Sequence, residues 1–263
     1  MTIGAANTVH NVAIEEGTVT FNAGSGSFTL TSGATWGVSS GASLDVTRPI
    51  TNGGFQFTFN TTGNVSIAGQ ISGSGSLVKT NGTGTLTLSG TNSFSSGITN
   101  YAGVISYSYI TDGGTVCNIG QYNNGAPGFA LAGGTAMFTG ANATPNNRGF
   151  TLVGGTTSTV EITQSGTTLT LNQWAGTGGL IKTGPGILNI SGACTTPSSF
   201  AIYNGTVKSS NNNNVYGAMM VIGTGTNITA TFDGSGTASG STISTLTLGG
   251  STLLSKATVL CSA

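Results

Sequence analysis

Few residues in this sequence could carry acid or base catalysis. A polysaccharide lyase or hydrolase relies on clustered carboxylates for metal binding or proton transfer. Only Glu15 and Glu16 are sequence neighbours, and neighbouring side chains on a strand point to opposite faces. Asp45 and Glu161 each lie between two apolar residues, so both are expected to face solvent. No catalytic residue is assigned, and the chain is predicted not to be an enzyme. The acidic residues are Glu15, Glu16, Asp45, Asp112, Glu161 and Asp233.

Metal-binding residues are equally sparse. His10 is the single histidine and is expected at the surface, and Cys117, Cys194 and Cys261 lack a short pairing such as C-x-x-C. Zinc usually needs three or four His, Cys or acidic ligands. Calcium-binding repeats need an acid in each repeat, whereas the stretch 225–236 supplies Asp233 once. No metal-binding or cofactor-binding residue and no cofactor is predicted. Cys117, in an apolar context, is expected to be a buried small residue, and the state of the three cysteines stays open.

Two lysines, Lys79 and Lys182, stand at the turn before a strand in two similar stretches of the chain. One interpretation is a repeated basic contact for a glycan or another partner. The favoured interpretation is a solvated lysine whose charge discourages wrong lateral pairing of strands.

Four aromatic residues, Trp36, Trp174, Tyr107 and Tyr109, have side chains that could stack on sugar rings. An aromatic residue beside a strand more often packs in the interior or at a corner. Packing is therefore the favoured role for all four, and stacking on a glycan is the alternative.

Composition excludes several classes of partner. Of the 263 residues, 45 are Gly and only 5% are charged, whereas charged residues usually make up ~25% of a protein. Hydrophobic residues reach 37% and alternate with polar ones, which predicts folded β-structure and not a flexible linker. The formal net charge is zero and the six basic residues are scattered singly, so no nucleic-acid partner is expected. No apolar run approaches the ~18 residues of a membrane span, so no membrane insertion is expected.

Short apolar alternations, separated by Gly, Asn or Ser, predict the strands. They are Phe28-x-Leu30, Leu44-x-Val46, Phe55-x-Phe57-x-Phe59, Val65-x-Ile67, Leu86-x-Leu88 and Val104-Ile105. Stacked as rungs of about twenty residues per coil, such pieces pair with the equivalent strands above and below. The sequence therefore predicts an all-β parallel β-helix, a β-solenoid, with Leu77, Leu86 and Leu88 in the interior and Gly82 and Gly84 at a corner. Separate β-sandwich domains are the alternative.

One long stretch occurs twice. GSLVKTNGTGTLTLSG at 75–90 is similar to GGLIKTGPGILNISG at 178–192, and flanking segments match at offsets of 100 to 103 residues. This small drift predicts two copies of one structural unit. We expect a single β-helix domain over 1–263, with repeat units at about 1–107 and 108–210. A C-terminal cap or assembly segment is expected at about 211–263.

These repeats resemble a known family. GLIKTGPGILNISG at 179–192, continued by Tyr203-Asn-Gly-Thr-Val, resembles the autotransporter-associated β-strand repeat of bacterial passenger domains. GGTAMFTGANATPNNRGFTL at 133–152 is similar to the segment that precedes this repeat in many passengers. The resemblance covers about residues 21–210. It implies a right-handed parallel β-helix on a cell surface or outside the cell.

The leading function is a non-enzymatic structural or adhesive β-helix protein that is extracellular or on the cell surface. Self-association into a surface layer, fibre or filament, as a homo-oligomer, is expected because open coil ends expose unpaired backbone groups and near-zero charge gives little repulsion. A glycan or other cell-surface component stays open as a partner. The alternative is a virion fibre or surface decoration, because MTIGAANTVHNVAIEEG lacks the basic and apolar regions of a secretion signal. A glycan-active enzyme ranks third.

Overall fold

A computed structural model describes residues 7–24, 26–122, 128–141, 146–210, 218–223, 228–234, 245–250 and 256–261. In these ranges all regular elements are β-strands, and no helix is long and apolar enough to cross a bilayer. The chain divides into two compact units, Met1–Ala130 and Leu131–Ala263, here called the first unit and the second unit. Part of the predicted C-terminal segment at 211–263 lies outside the described residues.

The first unit consists of stacked coils whose strands pair in parallel. Three sheets form its faces, in the orders β1-β4-β7-β10, β2-β5-β8-β11-β13 and β3-β6-β9-β12-β14. The strands are β1 (Asn7–Thr8), β2 (Val12–Ile14), β3 (Thr18–Phe21), β4 (Phe28–Thr29), β5 (Ala34–Val38), β6 (Ser43–Val46), β7 (Ile50–Thr51), β8 (Phe57–Thr61), β9 (Asn64–Ile67), β10 (Ile71–Ser72), β11 (Leu77–Thr80), β12 (Thr85–Leu88), β13 (Ile98–Asn100) and β14 (Val104–Tyr107). At the boundary of the two units lies β15 (Phe129–Leu131).

The second unit is built in the same way. Its parallel sheets have the orders β16-β18-β21-β23-β25-β27, β19-β22-β24-β26-β28 and β17-β20. The strands are β16 (Thr135–Phe138), β17 (Gly149–Leu152), β18 (Thr157–Ile162), β19 (Thr168–Leu171), β20 (Gln173–Gly176), β21 (Gly179–Thr183), β22 (Ile187–Ile190), β23 (Phe200–Ile202), β24 (Gly205–Ser209), β25 (Ala218–Gly223), β26 (Thr229–Gly234), β27 (Thr245–Gly250) and β28 (Lys256–Cys261).

The strand pairing decides between the two predicted architectures. Where the chain is described, strands pair in parallel, and the antiparallel contact is an isolated bridge between Asn92 and Cys117. A β-sandwich needs antiparallel sheets, so that alternative is wrong. The predicted all-β parallel β-solenoid is confirmed, and Leu44, Val65 and Leu86 stack rung on rung at nearly the predicted coil length.

The interior of each unit is filled by alternate apolar side chains. Leu77, Leu86 and Leu88 are fully buried, as predicted. In the first unit the Trp36 ring lies edge-on to Phe57, with ring centroids 4.8 Å apart. Edge-on aromatic contacts of this kind add to the burial of apolar area, so the coils are held by side-chain packing as well as by backbone pairing.

Glycine forms the predicted corner between β11 and β12. Gly82 has a φ of 77°, which other residues rarely adopt. At Gly84 an added Cβ would lie only 2.0 Å from the carbonyl oxygen of Gly63 in the neighbouring coil. The absence of a side chain at Gly84 is therefore what lets two successive corners stack.

The predicted strand position of Phe55 is wrong. It was expected to begin a strand with Phe57, but β8 begins at Phe57 and the side chain of Phe55 is 38% exposed. Gly53 and Gly54 have φ values of 60° and 92°, and the Phe55 amide donates to the Asn52 carbonyl at 2.8 Å. Because of this turn, the alternation of buried and exposed positions begins at Phe57, two residues later than the apolar pattern indicates.

Candidate functional site

The acidic, histidine and cysteine side chains do not gather into one metal-binding group among the described residues. In the described part of the chain there is no group of three or more His, Cys, Asp or Glu residues that could hold a metal ion. Glu15, Glu16 and Asp112 are exposed, and Asp45 is half-buried on β6. His10 is exposed, as expected, with Nδ1 3.3 Å from the Ser32 hydroxyl. The lack of a catalytic centre and of a metal site stays a prediction.

Lys79 and Lys182 are not at the surface. Both side chains are 0% exposed, and both residues lie within strands, β11 and β21, and not in the preceding turns. The prediction of solvated lysines is therefore wrong, and so is a direct contact to a glycan. The physical reason is strand phase: Lys79 stands two positions after the buried Leu77, so it faces the same interior.

Each buried ammonium group lies against backbone carbonyls from successive corners. Lys182 Nζ donates to the carbonyls of Thr183 at 2.6 Å, Gly184 at 2.8 Å and Asn204 at 3.2 Å. Lys79 Nζ donates at 3.5 Å to the carbonyls of Thr61 and Asn81. These lysines therefore tie one corner to the next, which is a structural role.

Burial has a strong effect on the acid–base behaviour of both lysines. Desolvation of the ammonium group lowers the pKa of Lys182 to about 7, and the Glu161 carboxylate opposes this shift. Desolvation also lowers the pKa of Lys79 to about 8. Their charge therefore changes near neutral pH, which is unusual for lysine.

The arginines are buried as well, and this changes the charge of the surface. Arg148 is almost fully buried, and the Arg48 guanidinium lies 4.9 Å from the centre of the Phe28 ring, a cation–π distance. Arg48 and Lys79 are the arginine and the lysine of the first unit, and both are buried, whereas Glu15, Glu16 and Asp112 are exposed. Formal neutrality of the chain therefore does not describe its surface.

The predicted aromatic residues divide into two groups. Trp36, Trp174 and Tyr107 are buried, so their packing role is confirmed. Tyr109, by contrast, is 53% exposed, and Tyr101, which the sequence did not single out, is 54% exposed. Tyr101 and Tyr109 are thus the large aromatic side chains that the described surface of the first unit offers to a partner, together with Phe55.

Tyr109 belongs to a loop, residues 108–116, that follows β14 and is here called the projecting loop. Buried Asn118 fixes its base: Asn118 Oδ1 accepts from the backbone amides of Ser108 at 3.0 Å and Tyr109 at 2.8 Å. Asn118 Nδ2 donates to the Gly90 carbonyl at 3.0 Å. Ile110, within the loop, has a buried side chain. The loop therefore presents Tyr109 and Asp112 from a defined position, and the Asp-Gly-Gly turn at 112–114 is the sequence signal that marks it.

Comparison with known proteins agrees with the fold. The chain is 38% identical over 123 residues to the adhesin BmaC autotransporter of Brucella suis biovar 1 (strain 1330). The resemblance to autotransporter passenger repeats is confirmed. The match spans 46% of this chain and 4% of the length of that relative. No family model matches the chain, and no solved structure is matched.

Proposed function

We propose that this passenger-like chain is a non-enzymatic adhesive β-helix segment that is displayed on the cell surface or outside the cell. One observation carries the proposal: stacked parallel coils occur in a sequence that matches an autotransporter adhesin. Self-association and the virion alternative stay predictions, because neither rests on an observed contact.

The surface chemistry supports adhesion. Most interior positions are used for stacking, so a partner must bind to outer faces or loops. The projecting loop offers Tyr109, which combines a large apolar ring with a hydroxyl group and loses little conformational entropy when it is bound. A loop held by a rigid scaffold is a common location for binding residues.

Adhesion can be tested with beads that carry the purified 263-residue chain. We expect coated beads to bind cultured host cells above the level of beads that carry an unrelated β-helix. Tyr109→Ala should weaken this binding about tenfold if the ring is an interface anchor. The matched control is Tyr101→Ala, because Tyr101 is equally exposed but lies outside the projecting loop.

Two results would contradict the proposal at different levels. If wild-type beads bind no better than the unrelated β-helix, the adhesive function is wrong. If Tyr101→Ala and Tyr109→Ala reduce binding equally, adhesion stands but the projecting loop is not its specific contact.

A further inference from the structure

A shallow trough of about 270 Å³ opens on the outer face of the sheet formed by β2, β5 and β8 in the first unit. One column of stacked residues runs through it: Ala13 and Gly37, which form the floor, pair with each other, and Gly37 pairs with Asn60, which stands at the edge. Two of these three positions carry a minimal side chain. The trough is therefore a gap in the outer layer of side chains and not a defect in the coil beneath.

Gly37 is the position that makes this gap, and the backbone does not require glycine there. An added Cβ would meet only the carbonyl oxygens of Asn60 at 3.7 Å and Val12 at 3.9 Å, which are ordinary contacts, and its φ is not in the positive region. Other strand glycines are different: at Gly149 a Cβ would lie 2.2 Å from the Gln173 carbonyl. Glycine inside a strand weakens the strand, and it often marks a place where a ligand approaches closely.

The rim of the trough is polar. Glu15, Ser39, Asn60 and Thr62 line it, and all four side chains are exposed. They offer a carboxylate, two hydroxyls and an amide, a set of donors and acceptors that suits the hydroxyl groups of a sugar. Sites for small ligands combine apolar surface with a few placed polar groups, and Ala13 and Gly37 supply the apolar part here.

The volume of the trough and the charges around it limit the kind of ligand that it can bind. The trough is smaller than the ~300–1,000 Å³ of pockets for drug-sized molecules, so it fits a single ring-sized group. Glu15 lies on the rim, and both the lysine and the arginine of the first unit are buried. A sialylated, sulfated or phosphorylated ligand would meet like charge there without a compensating cation.

We propose that this trough binds one pyranose ring of a neutral or amino-sugar glycan. The inference rests on the proposed adhesive function and adds a ligand class and a site to it. Asn60 and Glu15 bind the ring hydroxyls, and Gly37 leaves the space that the ring occupies.

The test uses an array of immobilised oligosaccharides that end in neutral hexoses, N-acetylhexosamines, sialic acid or sulfated sugars. We expect the wild-type 263-residue chain to bind neutral termini. Gly37→Val fills the trough from its floor and should weaken binding at least tenfold, while Asn60→Ala removes one polar partner and should weaken it roughly 2- to 10-fold. The matched control is Gly33→Val, because Gly33 also has room for a Cβ, with its nearest contact at 3.7 Å, and lies outside the trough.

Each result has a defined meaning. Equal glycan binding by wild type and Gly37→Val, with an unchanged melting temperature, overturns the site. Preference for sialylated or sulfated termini overturns the ligand class. If the chain binds no glycan but coated beads still bind cells, the trough proposal is wrong and the adhesive function stands. Asn60→Ala, on an exposed position, decides the matter if Gly37→Val does not fold.

Discussion

Raising the pH from 7 to 9 is expected to stabilise this protein, because two buried lysines lose their protons in that interval. Burial lowers the pKa of Lys182 to about 7 and that of Lys79 to about 8. In the unfolded chain both keep their protons up to about pH 10.4. The unfolded state therefore binds more protons than the folded state, and the free energy of unfolding rises with pH.

The size of the effect follows from the two shifts. A difference of one pKa unit corresponds to about 1.4 kcal/mol. Because Lys182 is already half deprotonated at pH 7, the interval from pH 7 to 9 adds about 2.3 kcal/mol of stability from this residue. Lys79, with its pKa of about 8, adds about 1.4 kcal/mol over the same interval. Above pH 9 the trend is opposed, because burial raises the pKa of Cys194 to about 12 and its thiol ionises earlier in the unfolded chain.

Urea unfolding at pH 7, 8 and 9 measures this slope. Wild type should gain about 4 kcal/mol over the interval, and Lys182→Met should lose about 60% of that gain. Methionine suits this position because Val160 and Ile202 are the register partners of Lys182. The matched control is Lys256→Met, because the side chain of Lys256 is exposed. A flat or falling stability of wild type, or an unchanged slope in Lys182→Met, would refute the reasoning.

Two further predictions concern backbone contacts. Gly84→Ala places a Cβ 2.0 Å from the Gly63 carbonyl oxygen, so it should lower the free energy of unfolding by at least about 3 kcal/mol. The control Gly33→Ala should be tolerated. Equal thermal unfolding of the two variants would contradict this prediction. Asn118→Ala removes the bonds to two loop amides and to the Gly90 carbonyl and should cost about 2–4 kcal/mol. It should also open the projecting loop to limited proteolysis, and an unchanged cleavage rate would speak against the role of Asn118.

Much of the fold could be predicted because local sequence patterns determine it. A period of two places Leu86 and Leu88 on one face whatever the tertiary context. Gly82 and Gly84 mark a corner because few other residues adopt that backbone or tolerate that approach. Strands of four residues are too short for stable hairpins. Stacking of coils is therefore the arrangement that can bury their apolar side chains.

The lysines show what such patterns miss. Strand phase alone places Lys79 beside Leu77 in the interior, but the general preference of lysine for solvent led to the opposite prediction. The ammonium group accepts this position because carbonyl groups from corners about twenty residues apart in sequence bind it. No local sequence pattern reveals that arrangement. Gly37 is similar, because its lack of a steric role becomes visible only when the neighbouring carbonyls are located.

The burial of basic residues determines which charges a partner would meet at the surface. The formal net charge is zero, and this sum treats the four buried cations Arg48, Lys79, Arg148 and Lys182 as if they faced solvent. A partner meets the outer faces, where the first unit presents acids and no lysine or arginine side chain. A ligand that depends on phosphate, sulfate or carboxylate groups gains nothing there, whereas one that depends on hydroxyl groups and ring faces finds matching chemistry in the trough and in Tyr109. Because the same strand phase buries the lysines and turns short polar side chains outward, we expect the pattern that stacks the coils also to disfavour an anionic partner.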